Sequence, residues 1–190
     1  TNGTLDTTFS GDGLVNVGFA GGTDRGESVV LQPDGKIVMA GRADYSGDSD
    51  FALARYNGNG TLDTSFSDDG LVNVGFAGDD DEVRGIVRQA DGKLVVAGFA
   101  TISGQSDFAL ARYNGNGTLD TTFDSDGLVT TDFAGDDDLA YGIVFQPDGK
   151  LVVAGLGAIS GDSNFEVARY LSSGALDTSF SDDGRVDTGF

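Results

Sequence analysis

At 190 residues the chain is long enough for one domain with a sizeable core, and its 31 acidic against 11 basic residues give a formal charge of −20, with no histidine and no cysteine. Such a surface repels nucleic acid and anionic membranes, which need clustered Lys and Arg, and the missing cysteines exclude disulfides, thiolate metal sites and cysteine nucleophiles. No apolar run approaches the roughly 18 residues that cross a bilayer as a helix, and the chain, which opens on Thr1 without a Met or a signal peptide, reads as a mature or excised segment.

The first predicted elements are a turn, LDTTF at residues 5–9, and a short β run, LVNVGF at residues 14–19. Next comes a hairpin, SVVLQPDGKIVMAG at residues 28–41. It decides the organisation, because it returns as GIVRQADGKLVVAG at 85–98 and GIVFQPDGKLVVAG at 142–155, 57 residues on each time. Pro33 and Pro147 suit the first corner of a type I turn and Asp the second, while Gly35, Gly92 and Gly149 take the left-handed position that closes it with a bulge. The arms are apolar on consecutive residues (Ile86-Val87; Leu94-Val95-Val96-Ala97), the pattern of strands buried on both faces.

A third strand follows in each unit, FALARY from Phe51 and Phe108 and FEVARY from Phe165, behind a polar loop that carries Asp48 and Asp50, Gln105 and Asp107, or Asp162 and Asn164. The YNGNG loops at 56–60 and 113–117 come next. LDT(T/S)F then recurs from Leu62, Leu119 and Leu176. In it Asp6, Asp63, Asp120 and Asp177 cap a short helical turn, and Phe9, Phe66, Phe123 and Phe180 plug the core beneath. Asp12, Asp69, Asp126 and Asp183 precede glycines as turn formers ahead of the last strand of each unit.

One unit therefore carries four strands, roughly 27–32, 36–42, 51–56 and 71–76 in the first copy. The prediction is an all-β array of four-stranded antiparallel blades in a single repeat domain, 1–190. The blades span about 27–76, 84–133 and 141–190, with one surplus N-terminal strand at about 14–19. Residues 1–19 and 172–190 are equivalent, so in a ring built from copies the strands 14–19 and 185–190 claim the same outermost slot. Arg185 and Asp187 put charge on the last strand, as an array's edge requires.

The string QPDGKIVMAG…SDFALARYNGNGTLDTSFSDDGLV resembles the delta-60 repeat family of bacterial β-propeller repeats, and the resemblance covers essentially the whole chain in all three units. It implies one propeller blade per unit and a place in an exported or cell-surface protein, and it implies no reaction. Closed propellers have about 4–8 blades. Three blades and a spare strand leave three arrangements open: a piece of a longer propeller, a ring completed by a second copy, or a filament joined by strand addition.

Few residues are candidates for chemistry. Asp79, Asp80 and Asp81, followed by Glu82, recur as Asp136, Asp137 and Asp138, and such close-set oxygen ligands suit Ca²⁺; solvated loop charge is the alternative reading. Asp24, Asp81 and Asp138 share one position in all units, which points to a turn hydrogen bond. Arg55, Arg112 and Arg169 sit among apolar neighbours and call for a partner acid in each blade, with an anion-binding ring as the sharper alternative. Tyr56, Tyr113 and Tyr170 suit core packing, or stacking on a carbohydrate. Asn2, Asn59 and Asn116 head Asn-x-Thr sequons that also read as plain turn chemistry. Without His or Cys the common nucleophile–base pairs are excluded, and no Asp pair belongs to one blade alone as a glycosidase would need. The expectation is a non-enzymatic, extracellular or surface module that self-associates or belongs to a longer repeat chain and takes a carbohydrate or protein ligand. A calcium-dependent adhesion or filament-assembly unit is the alternative, and an Asp-based glycosidase the remote one.

Overall fold

In the computed structural model, residues 3–19, 22–45, 47–76, 79–133, 136–159 and 162–189 are described; Asn2 and Phe190 lie outside them. The twelve strands form three separate four-stranded antiparallel meanders, with no helix among the described residues. Blade 1 is β1 (Arg25–Leu31), β2 (Ile37–Tyr45), β3 (Asp48–Tyr56) and β4 (Leu71–Val74). Blade 2 is β5 (Asp81–Arg88), β6 (Leu94–Ile102), β7 (Gln105–Tyr113) and β8 (Leu128–Thr131). Blade 3 is β9 (Asp138–Phe145), β10 (Leu151–Ile159), β11 (Asp162–Tyr170) and β12 (Arg185–Thr188).

The first hairpin closes as its residues dictate. The Gly35 amide donates to the Gln32 carbonyl across Pro33-Asp34, the Gln32 amide donates to Lys36, and Gly35 sits at φ 83°. The glycine ending each hairpin has a different cause. The first strand bulges between Gly26 and Ser28, and again between Val83 and Gly85, which drives a carbonyl toward the second strand. A Cβ on Gly41 would collide with the Arg25 carbonyl, and one on Gly98 with that of Glu82.

Two boundaries depart from expectation. The polar stretch before Phe51 is strand, not loop: β2 and β3 stay paired out to Tyr45↔Asp48, and β6 and β7 to Ile102↔Gln105. Ser103 and Gly104 (φ 57° and 86°) make the two-residue turn whose twist matches its strands, so the ladder runs on after apolar residues give out. The fourth strand stops at Val74 rather than Phe76, because the Phe76 amide turns away to the Asp81 carboxylate, 2.7 Å off.

Alternate side chains of each blade face opposite neighbours. Leu94 and Val96 point back into a core shared with Val38, Phe51, Leu53 and Phe66 of blade 1, whereas Val95, Ala97, Phe108 and Leu110 point forward into a core shared with Leu151, Val153 and Tyr170 of blade 3. That is why blade 2 reads as continuous apolar runs. Phe66 and Phe123 plug these cores fully, and Phe9 and Phe180, in the outer turns, are half-buried.

Among the described residues, 14–19 pair with none of the three sheets. They nevertheless hold the place of a preceding blade's fourth strand. The Phe19 amide donates to Asp24 as Phe76 does to Asp81 and Phe133 to Asp138, and Val15, Val17 and Phe19 line one cavity together with Met39, Ala52 and Ala54 of blade 1.

Candidate functional site

The most repeated residues converge on one corner of each blade. The Asp63 cap accepts the Ser65 amide and hydroxyl on Oδ1, while its Oδ2 accepts both Arg55 Nε and Lys36 Nζ at 2.6 Å. Burial alone would raise the Asp63 carboxyl; hydrogen bonds from Lys36 and Ser65 and the charge of Arg55 outweigh it and hold it well below the ordinary carboxylate range. Arg112 and Lys93 meet Asp120 in the same way, and Arg169 and Lys150 meet Asp177. Each arginine thus has its partner acid, and its guanidinium also covers the plugging Phe ring, at 4.5 Å for Arg55 over Phe66. The sequence reading missed the lysine. Its fixed offset of 27 residues from the Asp was the available signal.

The corner also joins blades. Arg55 Nη1 donates to the Gly115 carbonyl and Arg112 Nη1 to that of Ser172, each in the following blade's loop. Backbone bonds run in parallel at 2.8 Å, from Ser10 to Asn59, Ser67 to Asn116 and Asp124 to Ser173. Tyr56, Tyr113 and Tyr170 are buried in the cores and present no face to a sugar. Asn59 and Asn116 are exposed, and their side-chain oxygens accept from Thr61 and Thr118 as turn formers. Arg185 does not guard the array's edge by facing outward; it reaches back to the Asp132 carbonyl and over the Phe133 ring.

The aspartate runs divide their work. Asp79 and Asp136 are exposed, Asp80 and Asp137 accept the amides of Ser49 and Ser106 in the previous blade, and Asp81 and Asp138 accept those of Phe76 and Phe133. The shared turn-type hydrogen bond of Asp24, Asp81 and Asp138 is thus present in all three units. Among the described residues, Asp138 alone of the six aspartates joins a cluster in which three residues bring carboxylate oxygens together. One of its carboxylate oxygens and one each from Asp107 and Asp132 lie within 4.8 Å of one another.

Glu166 on β11 stands beside that cluster. It is 0% exposed, and among the described residues no Lys, Arg, hydroxyl or amide donates to either of its carboxylate oxygens or to Oδ1 of Asp138. Burial first, then the charge of Asp138 and a side-chain hydrogen bond with it, then the charges of Asp187 and Asp132, push the Glu166 carboxyl up to about 8. Asp107 is raised to about 6 by burial and by Asp132, Asp138 and Asp137; burial raises Asp138 as well. The junction of blades 1 and 2 is milder. Asp81 is raised to about 6, mainly by burial, but Asp50 accepts a hydrogen bond from Asn73, and Gly75 and Ala109 stand where the second junction has Asp132 and Glu166.

Residues 32–66, 89–123 and 146–180, together more than half of the chain, match the model of the family described as "Domain of unknown function (DUF5122) beta-propeller". The chain belongs to this family. No curated protein matches it. Each DUF5122 match runs from the glutamine before the first hairpin turn to the phenylalanine that ends LDT(T/S)F, so it contains the whole Lys–Arg–Asp corner. Asp132 and Asp138 fall between DUF5122 matches; the acidic junction straddles them.

Proposed function

We propose that this chain is a non-enzymatic module, of the delta-60 type, that forms a structural or binding part of a cell-surface or extracellular protein. Its open blade faces complete a ring or a polymer with further blades of the same repeat. The forward face of blade 3 carries this reading. Phe51 and Phe108 are 0% exposed at the position where Phe165 is 62% exposed, and Val144 on the same face is 58% exposed. The occupant that fits is another blade's rear face, because two such contacts already exist inside the chain and use the equivalent residues. Blade 1 supplies the complement, with Val29 exposed on its rear face where Ile86 of blade 2 is buried. A non-enzymatic role is supported by the absence of His and Cys, and export by the resemblance of the repeat.

Sedimentation velocity from low to high micromolar concentration tests the proposal. The wild-type chain should grow in mass with concentration or bind a longer array of the same repeat, and Phe165→Asp should abolish both. A wild-type chain that does neither overturns it.

A further inference from the structure

The junction of blades 2 and 3 carries four carboxylates: Asp107 on β7, Asp132 just after β8, Asp138 at the start of β9 and Glu166 on β11. The geometry points to a divalent-cation site here, held by Asp107, Asp132 and Asp138, backed by Glu166 against Asp138, and suited to Ca²⁺. Three of them hold oxygens within 4.8 Å of one another. An ion at the centre of such a triangle lies about 2.8 Å or less from each oxygen, within reach of the roughly 2.3–2.6 Å that Ca²⁺ takes from carboxylate oxygens.

Glu166 is the independent observation. It is fully buried; among the described residues no Lys, Arg, hydroxyl or amide donates to either of its oxygens, the side chain it meets is the acid Asp138, and the charges that act on it most are those of Asp138, Asp187 and Asp132. Its carboxylate fills the space that a Cβ on residue 157 would take, and Gly157 is the cross-strand partner of Asp138. Glu166 is therefore directed at the cluster and not away from it. Among the described residues no Lys or Arg forms an ion pair with Asp107, Asp138 or Glu166. Ionising the buried Asp138 and Glu166 with no paired Lys or Arg among the described residues is strongly unfavourable, and a bound cation removes that cost while satisfying the orphaned oxygens.

The third observation is how the repeat departs from itself. At the first junction the equivalent positions hold Gly75 and Ala109, and Ala100 stands where blade 3 has Gly157. Two acids are added and one methyl is removed at a single place in space, from three strands' worth of sequence. Asp132 is exposed and Asp107 half-exposed, so an ion enters from that side and meets the buried Asp138 and Glu166 behind them.

The test uses the full chain, stripped with EDTA and titrated with CaCl₂ by calorimetry, with melting curves in parallel. One Ca²⁺ per chain should bind and raise Tm by about 5 °C or more at saturating metal. The variants copy the first junction, which keeps them foldable: Asp132→Gly, and the pair Glu166→Ala with Gly157→Ala. Each should lose at least tenfold in affinity, while Asp79→Asn and Asp136→Asn bind as wild type. No heat and no Tm change with millimolar CaCl₂ overturns the site. So does binding that survives both junction variants, or that is lost in Asp79→Asn or Asp136→Asn.

Discussion

Phe108 and Phe165 offer an internal comparison, one side chain at one position in two blades with different surroundings. Phe108 is fully buried, and its ring lies 5.0 Å from that of Phe133. Truncating it to alanine opens a cavity between blades 2 and 3, and a buried Phe→Ala change costs about 3–5 kcal/mol. Phe165 is 62% exposed. Little more than a third of its surface is withdrawn from water, so the same change should cost only about 1–2 kcal/mol in the dilute chain. Urea unfolding followed by circular dichroism at low micromolar concentration measures both, provided the denaturant slope is unchanged. Repeated where the chain associates, the Phe165→Ala loss should climb toward the Phe108→Ala value, because a neighbouring blade then buries the ring. Equal losses in the dilute chain refute the open-face reasoning; a Phe165→Ala loss independent of concentration refutes the claim that another blade covers it.

The Lys–Arg–Asp corner predicts that Asp120→Asn lowers stability by about 3–5 kcal/mol, since it strands a buried Arg112, and that Arg112→Lys alone is also destabilising because an ammonium cannot hold Asp120, Thr122 and the Ser172 carbonyl together; urea midpoints check both. Acid works in two directions. Asp63, Asp120 and Asp177 titrate below the ordinary range when folded, so their contribution is present above it and lost only in strong acid. Asp81 and Asp107, near 6, and Glu166, near 8, are raised when folded, so their contribution is present below ordinary carboxylate values and lost as the pH rises through 6 and 8. In EDTA, Tm should therefore fall between pH 5 and 8.5, and the Glu166→Ala, Gly157→Ala pair should flatten that slope; a Tm that rises over the interval contradicts it. Gly98→Ala should cost more than about 3 kcal/mol or prevent folding, because the Glu82 backbone blocks its Cβ, whereas Gly142→Ala, with nothing within 4 Å, should be neutral or mildly stabilising in thermal melts.

The fold was legible because its determinants are local and repeated three times. A Pro-Asp-Gly turn, consecutive apolar arms and a glycine against a bulge need no distant information. The hairpin tips were not legible, because Asp48, Ser49 and Asp50 carry no apolar alternation and stay in the ladder only through a good turn. The corner was half legible: the arginine demanded an acid, but the lysine reads as an ordinary surface turn residue until the sheet folds it over Asp63. The acidic junction was hidden more deeply. Gly157, Glu166 and Asp132 each look like drift in a repeat, and only strand register reveals that they drift toward one another.

Because Arg55 and Ser67 of one unit find their acceptors on the loop of the next, the smallest self-sufficient piece is the seam between two sheets. A single sheet cut free would carry half of two seams and complete neither. Lengthening the molecule is correspondingly simple: splicing in one more full period, started at any point, recreates an entire seam from residues already proven against each other. Any insertion that is not a whole period offers the guanidinium nothing to grip.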